Sequence, residues 1–196
     1  MSVILAFAAA SVALLVIPGP AVLYIVNRSV SDGREVGLAA VAGLELGNLV
    51  HALAAAAGLS AVLATSATAF ATVKWLGAGY LVFVGVRTLL RRPAVIDADA
   101  PGVSGRRAFG QGVVVNVLNP KVALFFLSFL PQFIDTDRSA GTQALVLGLV
   151  FALLGCITDS LYSLLASSLR TVLLRGRALP FVQRYVAGSV FIGLGL

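Results

Sequence analysis

Charged residues are scarce in this chain, and their scarcity excludes most classes of soluble protein. They make up 11% of the 196 residues, whereas a soluble domain carries about 25%. Hydrophobic residues supply 59% of the chain, and the mean hydropathy is +1.01. This composition indicates an integral membrane protein.

Cysteine and histidine are nearly absent. Cys156 is the only cysteine, which excludes an intrachain disulfide and a redox-active thiol pair. His51 is the only histidine, and no residues have the spacing of metal ligands. The sequence also lacks a nucleotide-binding glycine loop and a catalytic triad. We therefore predict that the protein is not an enzyme and uses no cofactor or metal.

Basic residues outnumber acidic ones, giving a net charge of +6 and a pI near 10.3. Such a balance can indicate nucleic-acid binding. Here the basic residues cluster at the ends of apolar segments, as at Arg91-Arg92 and Arg106-Arg107. We therefore expect membrane lipid, and no nucleic acid, beside these charges.

Six apolar segments predict an all-α polytopic membrane protein, in which residues 1–196 form a single transmembrane domain. Of the 14 basic residues, eleven fall on one side of six spans, Lys74 and Arg138 on the other, and Lys121 within a span. The loops after helices 1, 3 and 5 are therefore predicted to be cytoplasmic, and both termini periplasmic. The segments cover roughly residues 2–27, 35–63, 67–90, 108–134, 142–169 and 181–196.

The two halves of the chain resemble each other. Phe7 precedes Pro18 by eleven residues, and Phe109 precedes Pro120 by the same distance. Each half holds three spans, so the second half enters the membrane from the opposite side and forms an inverted-topology repeat. The predicted parts are repeat 1 (about 1–91), a hinge loop (about 92–107) and repeat 2 (about 108–196).

Prolines interrupt helices 1 and 4 of this arrangement, at Pro18-Gly19-Pro20 and at Asn119-Pro120-Lys121. Proline donates no backbone hydrogen bond, and in hydrocarbon each freed backbone group needs another partner. Two spans broken in corresponding places point to a transporter binding site near the bilayer centre. A broken helix offers free N–H groups to a carboxylate, so a zwitterion such as an amino acid suits the site.

Four ionisable residues are predicted to lie within the membrane, away from the ends of their segments: Glu45, His51, Lys121 and Asp159. Such residues are rare in membranes and are usually functional. Each also has a structural alternative. Glu45 could belong to a glycine packing motif, His51 could be a hydrogen-bonded core residue, and Asp159 could form an ion pair with Lys121. That pair would leave Glu45 without a partner, and an unpaired buried carboxylate binds a proton.

The candidate site is built from these residues and their neighbours on the same helix faces. We expect Lys121 to face the substrate carboxylate, and Glu45 or Asp159 to face its ammonium group or a coupled proton. The predicted proton-coupling residues are Glu45, Asp159 and His51. The predicted substrate-binding residues are Pro18, Gly19, Pro20, Glu45, Asn48, Asn119, Pro120, Lys121, Asp159 and Tyr162.

The chain resembles the LysE/RhtB-type amino-acid exporters. The resemblance rests on the two proline motifs, on the stretch from Gly43 to His51, and on Asp159 and Tyr162. It implies a carrier in the bacterial inner membrane that exports amino acids in exchange for protons, often as a homodimer. Apolar neighbours such as Phe125 favour a neutral or hydroxylated amino acid, and a basic amino acid is the alternative. Alternatives of another class are a membrane redox carrier and a pore built on the same scaffold.

Overall fold

The computed structural model describes residues 3–65 and 102–169, together with Thr72, Trp75 and Val86. Apart from these three residues, the predicted segments 67–90 and 181–196, and the hinge loop up to residue 101, lie outside the described residues. In the described residues every regular element is a helix. Two continuous helices and two bent helix pairs there are long and apolar enough to cross a membrane. The prediction of an all-α membrane protein is confirmed.

The first span consists of helices α1 (Val3–Val16) and α2 (Pro20–Ser31), whose axes differ by 54°. Pro20 is the first residue of α2, where its missing N–H group breaks no helical hydrogen bond. The predicted interruption at residues 18–20 is confirmed. Gly33 then turns the chain into the next helix with φ +90°, a left-handed conformation that favours glycine.

Helix α3 (Arg34–Thr65) is continuous, as predicted. The next described span begins with α4 (Gly105–Val117), bends by 44°, and continues as α5 (Pro120–Leu124). After α5, the backbone forms a π-helical turn at Phe125–Phe129 and a 3₁₀ turn at Leu130–Phe133. The interruption predicted at residues 119–121 is therefore confirmed as well.

The last described helix, α6 (Ala140–Ser168), corresponds to the predicted segment 142–169. Helix α4 begins earlier than predicted, because the Ser104 side chain caps it by accepting a hydrogen bond from the Arg107 amide (3.4 Å). Residues 105–107, assigned to the hinge loop from sequence, are thus the first turn of α4.

Glycine contacts between helices define the directions of the spans. Gly105 lies beside Ala39, and the Phe109 carbonyl lies directly over Gly43, so α3 and α4 run in the same direction. The first span leads into α3 through a tight turn and therefore runs opposite to it. The two broken spans thus run in opposite directions, as an inverted-topology repeat requires. The boundaries of the two repeats stay a prediction.

An aromatic cluster packs the half of the bundle that is farther from Gly105, on the other side of the two helix breaks. Phe125 stands at its centre, with its ring centroid 5.5 Å from Phe7, 5.1 Å from Phe129 and 4.9 Å from Phe151. Phe7, Phe125 and Phe151 are fully buried. This cluster fills the space between α1, α6 and the turns that follow α5.

Candidate functional site

A lysine joins the two helix breaks. Lys121, in the first turn of α5, extends its side chain to the first span and donates a hydrogen bond from Nζ to the Ile17 carbonyl (2.6 Å). The Lys121 side chain passes close to Gly19, where an added Cβ would lie 3.0 Å from Lys121 Cδ. Lys121 is buried, with 7% of its surface exposed. The two interruptions therefore meet inside the bundle.

Side chains satisfy the backbone groups that the breaks release. Asn119 is the N-cap of α5, and its side-chain oxygen accepts a hydrogen bond from the Lys121 amide (3.1 Å). Tyr162 of α6 donates from its hydroxyl to the Val16 carbonyl (2.5 Å). A polar group released in hydrocarbon costs several kcal/mol if it stays unpaired. These contacts hold the broken conformation.

Asn116, in the last turn of α4, connects the second break to α3. Its side-chain amide donates to the Leu44 carbonyl (2.6 Å) and to Asn48 Oδ1 (2.7 Å). Asn119 Nδ2 lies 3.4 Å from Asn116 Oδ1. Asn48, Asn116 and Asn119 are each at most 2% exposed. They form one buried polar network, which we call the asparagine network.

Glu45 extends the asparagine network toward α6. Asn48 Nδ2 donates to Glu45 Oε2 (2.8 Å), while Glu45 Oε1 is buried and has no hydrogen-bond partner. Both carboxylate oxygens press against Gly155, where an added Cβ would lie 2.9 Å from each. One carboxylate oxygen of Glu45 therefore has a hydrogen-bond partner and the other has none. Gly155 on α6, which has no side chain, leaves the space that the carboxylate occupies.

Asp159 of α6 is buried, with 4% of its surface exposed. It is close enough to Lys121 and Glu45 to interact electrostatically with both. The ion pair predicted as one alternative does not form at contact distance. Among the described residues the only ion pairs within 4.0 Å are Arg28–Asp32 and Arg138–Asp135. Lys121 hydrogen-bonds the Ile17 carbonyl instead.

His51 makes the contacts of a structural histidine. Its Nε2 lies 3.0 Å from the Asn116 carbonyl oxygen, and its ring stacks on Phe126 with centroids 6.0 Å apart. These contacts favour the structural alternative, in which His51 is a hydrogen-bonded core residue. A proton-relay role for His51 stays a prediction.

A cavity of about 20 Å³ lies between the breaks. That is room for about one water molecule, so this conformation is closed around its site. Polar and backbone groups line one part of it, and apolar side chains line the rest. The lining residues are Gly19, Asn48, Asn116, Asn119, Lys121 and Asp159, with Leu14, Leu15, Ala21, Val22, Val122 and Phe151.

Several predicted site residues lie outside this cavity. Pro20 and Pro120 interrupt their helices, but their own side chains face outward and are exposed. Pro18 is buried beside the cavity without lining it. Glu45 and Tyr162 contact the network and the first break rather than the cavity.

Asn116 is the central residue that the sequence prediction omitted. The available signal was a lone asparagine in the apolar run Val113–Val117, one helical turn before Asn119. Its partners, Leu44 and Asn48, are about 70 residues away in the chain, so local pattern alone could not assign them.

Comparison with known proteins adds independent information. The LysE type translocator family matches residues 12–196. An uncharacterized membrane protein of Vibrio cholerae serotype O1 is 30% identical over 193 residues, covering 98% of this chain and 94% of its own. No solved structure matches the chain.

Two further relatives carry functional names. The homoserine/homoserine lactone efflux protein of Salmonella typhimurium is 28% identical, covering 91% of this chain and 86% of its own. The leucine efflux protein of Klebsiella pneumoniae is 27% identical, covering 96% of this chain and 91% of its own. The helix breaks, the buried polar site and the full-length match lead to one conclusion: the chain belongs to the LysE type translocator family.

Proposed function

We propose that this protein is a secondary active exporter of neutral or hydroxylated amino acids across the bacterial inner membrane, driven by proton exchange. The observation that carries the proposal is the Lys121 bridge between the two breaks, with Asp159 on the same cavity. The named relatives export homoserine, homoserine lactone and leucine, by their names. An amino acid is therefore the substrate class that fits both the site and the family.

Lys121 is the group that receives the substrate carboxylate. Its ammonium hydrogen-bonds a neutral carbonyl, that of Ile17. A carboxylate forms a stronger, charge-assisted hydrogen bond than a carbonyl does. A substrate that displaces the Ile17 carbonyl from Lys121 therefore gains binding energy and releases the contact that joins the two broken spans.

The ionisable groups of the site leave one negative charge uncompensated when all of them are ionised. Glu45 and Asp159 carry two negative charges when ionised, and Lys121 carries one positive charge. In a low-dielectric site an uncompensated charge is costly, so the site favours binding one proton or one ammonium group. Proton and substrate ammonium then compete for the same carboxylates. Competition of this kind couples export of the amino acid to entry of a proton.

Apolar side chains favour a substrate without a charged side chain. Leu14, Leu15 and Phe151 line the cavity on the side of the aromatic cluster. A basic amino acid is the second candidate, because the unpaired Oε1 of Glu45 could accept a hydrogen bond from a second cationic group. The closed cavity must widen for either substrate, so the two repeats must move relative to each other during transport.

The arginine-rich end of the bundle, with Arg28, Arg34 and Arg107, faces the cytoplasm in this proposal, and lipid surrounds the spans. Both termini are then periplasmic. A homodimer is the assembly expected from the family resemblance. A pore and a thiol-based redox carrier remain the rival classes, and transport kinetics separate them from a carrier.

Flux in proteoliposomes tests the proposal. We expect radiolabelled homoserine, threonine or leucine to enter by a saturable route that an uncoupler of the proton gradient collapses. A pore would give non-saturating flux that the uncoupler leaves unchanged, and a redox carrier would give none. Lysine as the best substrate would favour the basic alternative.

Two variants test the assigned roles. Lys121→Ala and Glu45→Gln should each lower the maximal flux at least about tenfold, the loss expected for a buried charged hydrogen bond. Arg138→Gln is the matched control, because Arg138 forms only an exposed ion pair with Asp135. Wild-type flux in either site variant would refute the assignment.

A further inference from the structure

A second and much larger cavity opens at the arginine-rich end of the bundle. Its volume is about 660 Å³, and we call it the vestibule. Tyr24 and Arg28 of α2 line one side, and Arg107 and Gln111 of α4 line the other. The central cavity holds about one water molecule, whereas the vestibule is large enough for a whole amino acid.

The vestibule and the central cavity lie next to each other along α2. Ala21 lines the central cavity, and Tyr24 and Arg28 line the vestibule. These positions follow each other on one face of α2, so one helical turn of about 5 Å separates the two spaces. In the wall of the vestibule the Tyr24 hydroxyl donates to the Ala108 carbonyl (3.0 Å) and lies 3.1 Å from Gln111 Oε1. A ligand in the vestibule is therefore about one helical turn of α2 from the central cavity.

The two arginines of the vestibule differ in their partners. Arg28 is buried, forms an ion pair with Asp32 (2.9 Å) and donates to Asn27 Oδ1 (3.2 Å). Asp32 also accepts a hydrogen bond from the Val103 amide (3.0 Å), which fixes the wall of the vestibule. The Arg107 guanidinium is exposed and forms no ion pair with any described residue. Its exposed guanidinium can therefore meet an anion that enters from water.

We propose that the vestibule is a loading site, where Arg107 binds the carboxylate of the amino acid before it passes Tyr24. This proposal rests on the proposed function and adds an earlier binding step to it. Arginine suits the role because its planar group pairs with a carboxylate through two parallel hydrogen bonds. The site is open to water, so its affinity is low and its effect is to raise the substrate concentration at the entrance.

Arg107→Gln tests the proposal, with Arg106→Gln as the matched control. Arg106 is the exposed neighbour on α4 and does not line the vestibule. The assay is uptake of radiolabelled homoserine or leucine into inverted membrane vesicles, whose cytoplasmic face is outward. We expect Arg107→Gln to raise KM about three- to tenfold with kcat unchanged, and Arg106→Gln to leave both values unchanged. An unchanged kcat also shows that the variant is folded.

Three results would overturn the loading site. KM could be unchanged in Arg107→Gln, or it could rise equally in both variants, which would be a general surface-charge effect. The third concerns the headgroup of an anionic lipid, which Arg107 could bind in place of the substrate carboxylate. In proteoliposomes of phosphatidylcholine alone the loading site predicts the same rise in KM, whereas a lipid site predicts that the rise disappears. Failure of the proposed function is distinct, because it would abolish amino-acid flux in the wild-type protein as well.

Discussion

The close contact between Glu45 and Gly155 gives a quantitative prediction for Gly155→Ala. A Cβ at residue 155 would lie 2.9 Å from both Glu45 oxygens and 3.2 Å from Asn48 Nδ2. The carboxylate must then move, and we expect this movement to break its 2.8 Å hydrogen bond from Asn48. Loss of a hydrogen bond to a charged group costs about 1.5–3 kcal/mol. Alanine is better than glycine in a helix by about 1 kcal/mol, so the net loss of stability is about 0.5–2 kcal/mol.

Glu45→Ala removes the atoms that cause the clash. In that background Gly155→Ala should keep only its helix-propensity gain and stabilise the protein by about 1 kcal/mol. The two changes are therefore coupled by about 1.5–3 kcal/mol, the full value of the hydrogen bond. The measurement is the free energy of unfolding in mixed micelles titrated with dodecyl sulfate, for the wild type, both single variants and the double variant.

Gly58→Ala is the control for this cycle. Gly58 also lies in a long helix, but an added Cβ there meets nothing within 4 Å. Gly58→Ala should change the free energy of unfolding by the same amount in the wild-type and Glu45→Ala backgrounds. If Gly155→Ala has the same effect in both backgrounds, the carboxylate is not packed against α6 and the geometry of the site is wrong.

Two further variants test the packing and the network beside it. Asn116→Ala should lower stability by about 1–3 kcal/mol, because it removes the two buried hydrogen bonds that Asn116 donates, to Leu44 and Asn48. The same unfolding titration measures the loss, and an unchanged midpoint would count against the asparagine network. Gly43→Ala should cost about 1–3 kcal/mol, because its methyl group would overlap the Phe109 carbonyl and force α3 and α4 apart. Gly110→Ala, whose methyl group meets nothing within 4 Å, should not be destabilising, and equal losses in the two glycine variants would argue against this helix contact.

The fold was predictable where the sequence carries a strong local signal. Pro20 and Pro120 each lack the N–H group that a helix interior requires for its hydrogen bond, and proline is preferred at the first position of a helix, so the weak points of both spans follow from backbone chemistry. The Gly43 and Gly47 stripe likewise predicted a close helix contact, and α4 packs there, with Asn116 Cβ 2.7 Å from where a Cβ of Gly47 would lie. Such features depend on one residue type at one position.

The site was predictable only in part of its membership. Charge in an apolar span identified Lys121 and Asp159, but the choice of the Ile17 carbonyl as the Lys121 partner depends on how two distant spans are rotated. The same rotation turns Pro120 outward and brings Asn116 to the centre. Side-chain direction across a bundle is set by long-range packing, which the local pattern of a sequence does not contain.

The central claim is that the exported amino acid binds between the two breaks, and thiol protection tests it most directly. Ala21 lines the central cavity and is partly buried, so a cysteine placed there in a Cys156→Ser background reacts faster when the cavity opens. Amino acid at ten times its dissociation constant should slow labelling of Ala21→Cys about tenfold, because only the unoccupied fraction reacts. Asp137 is exposed at the end of the bundle opposite to the arginine-rich end and serves as the control. Asp137→Cys should be labelled at the same rate with and without substrate. Labelling of Ala21→Cys that a transported amino acid does not slow would contradict the account.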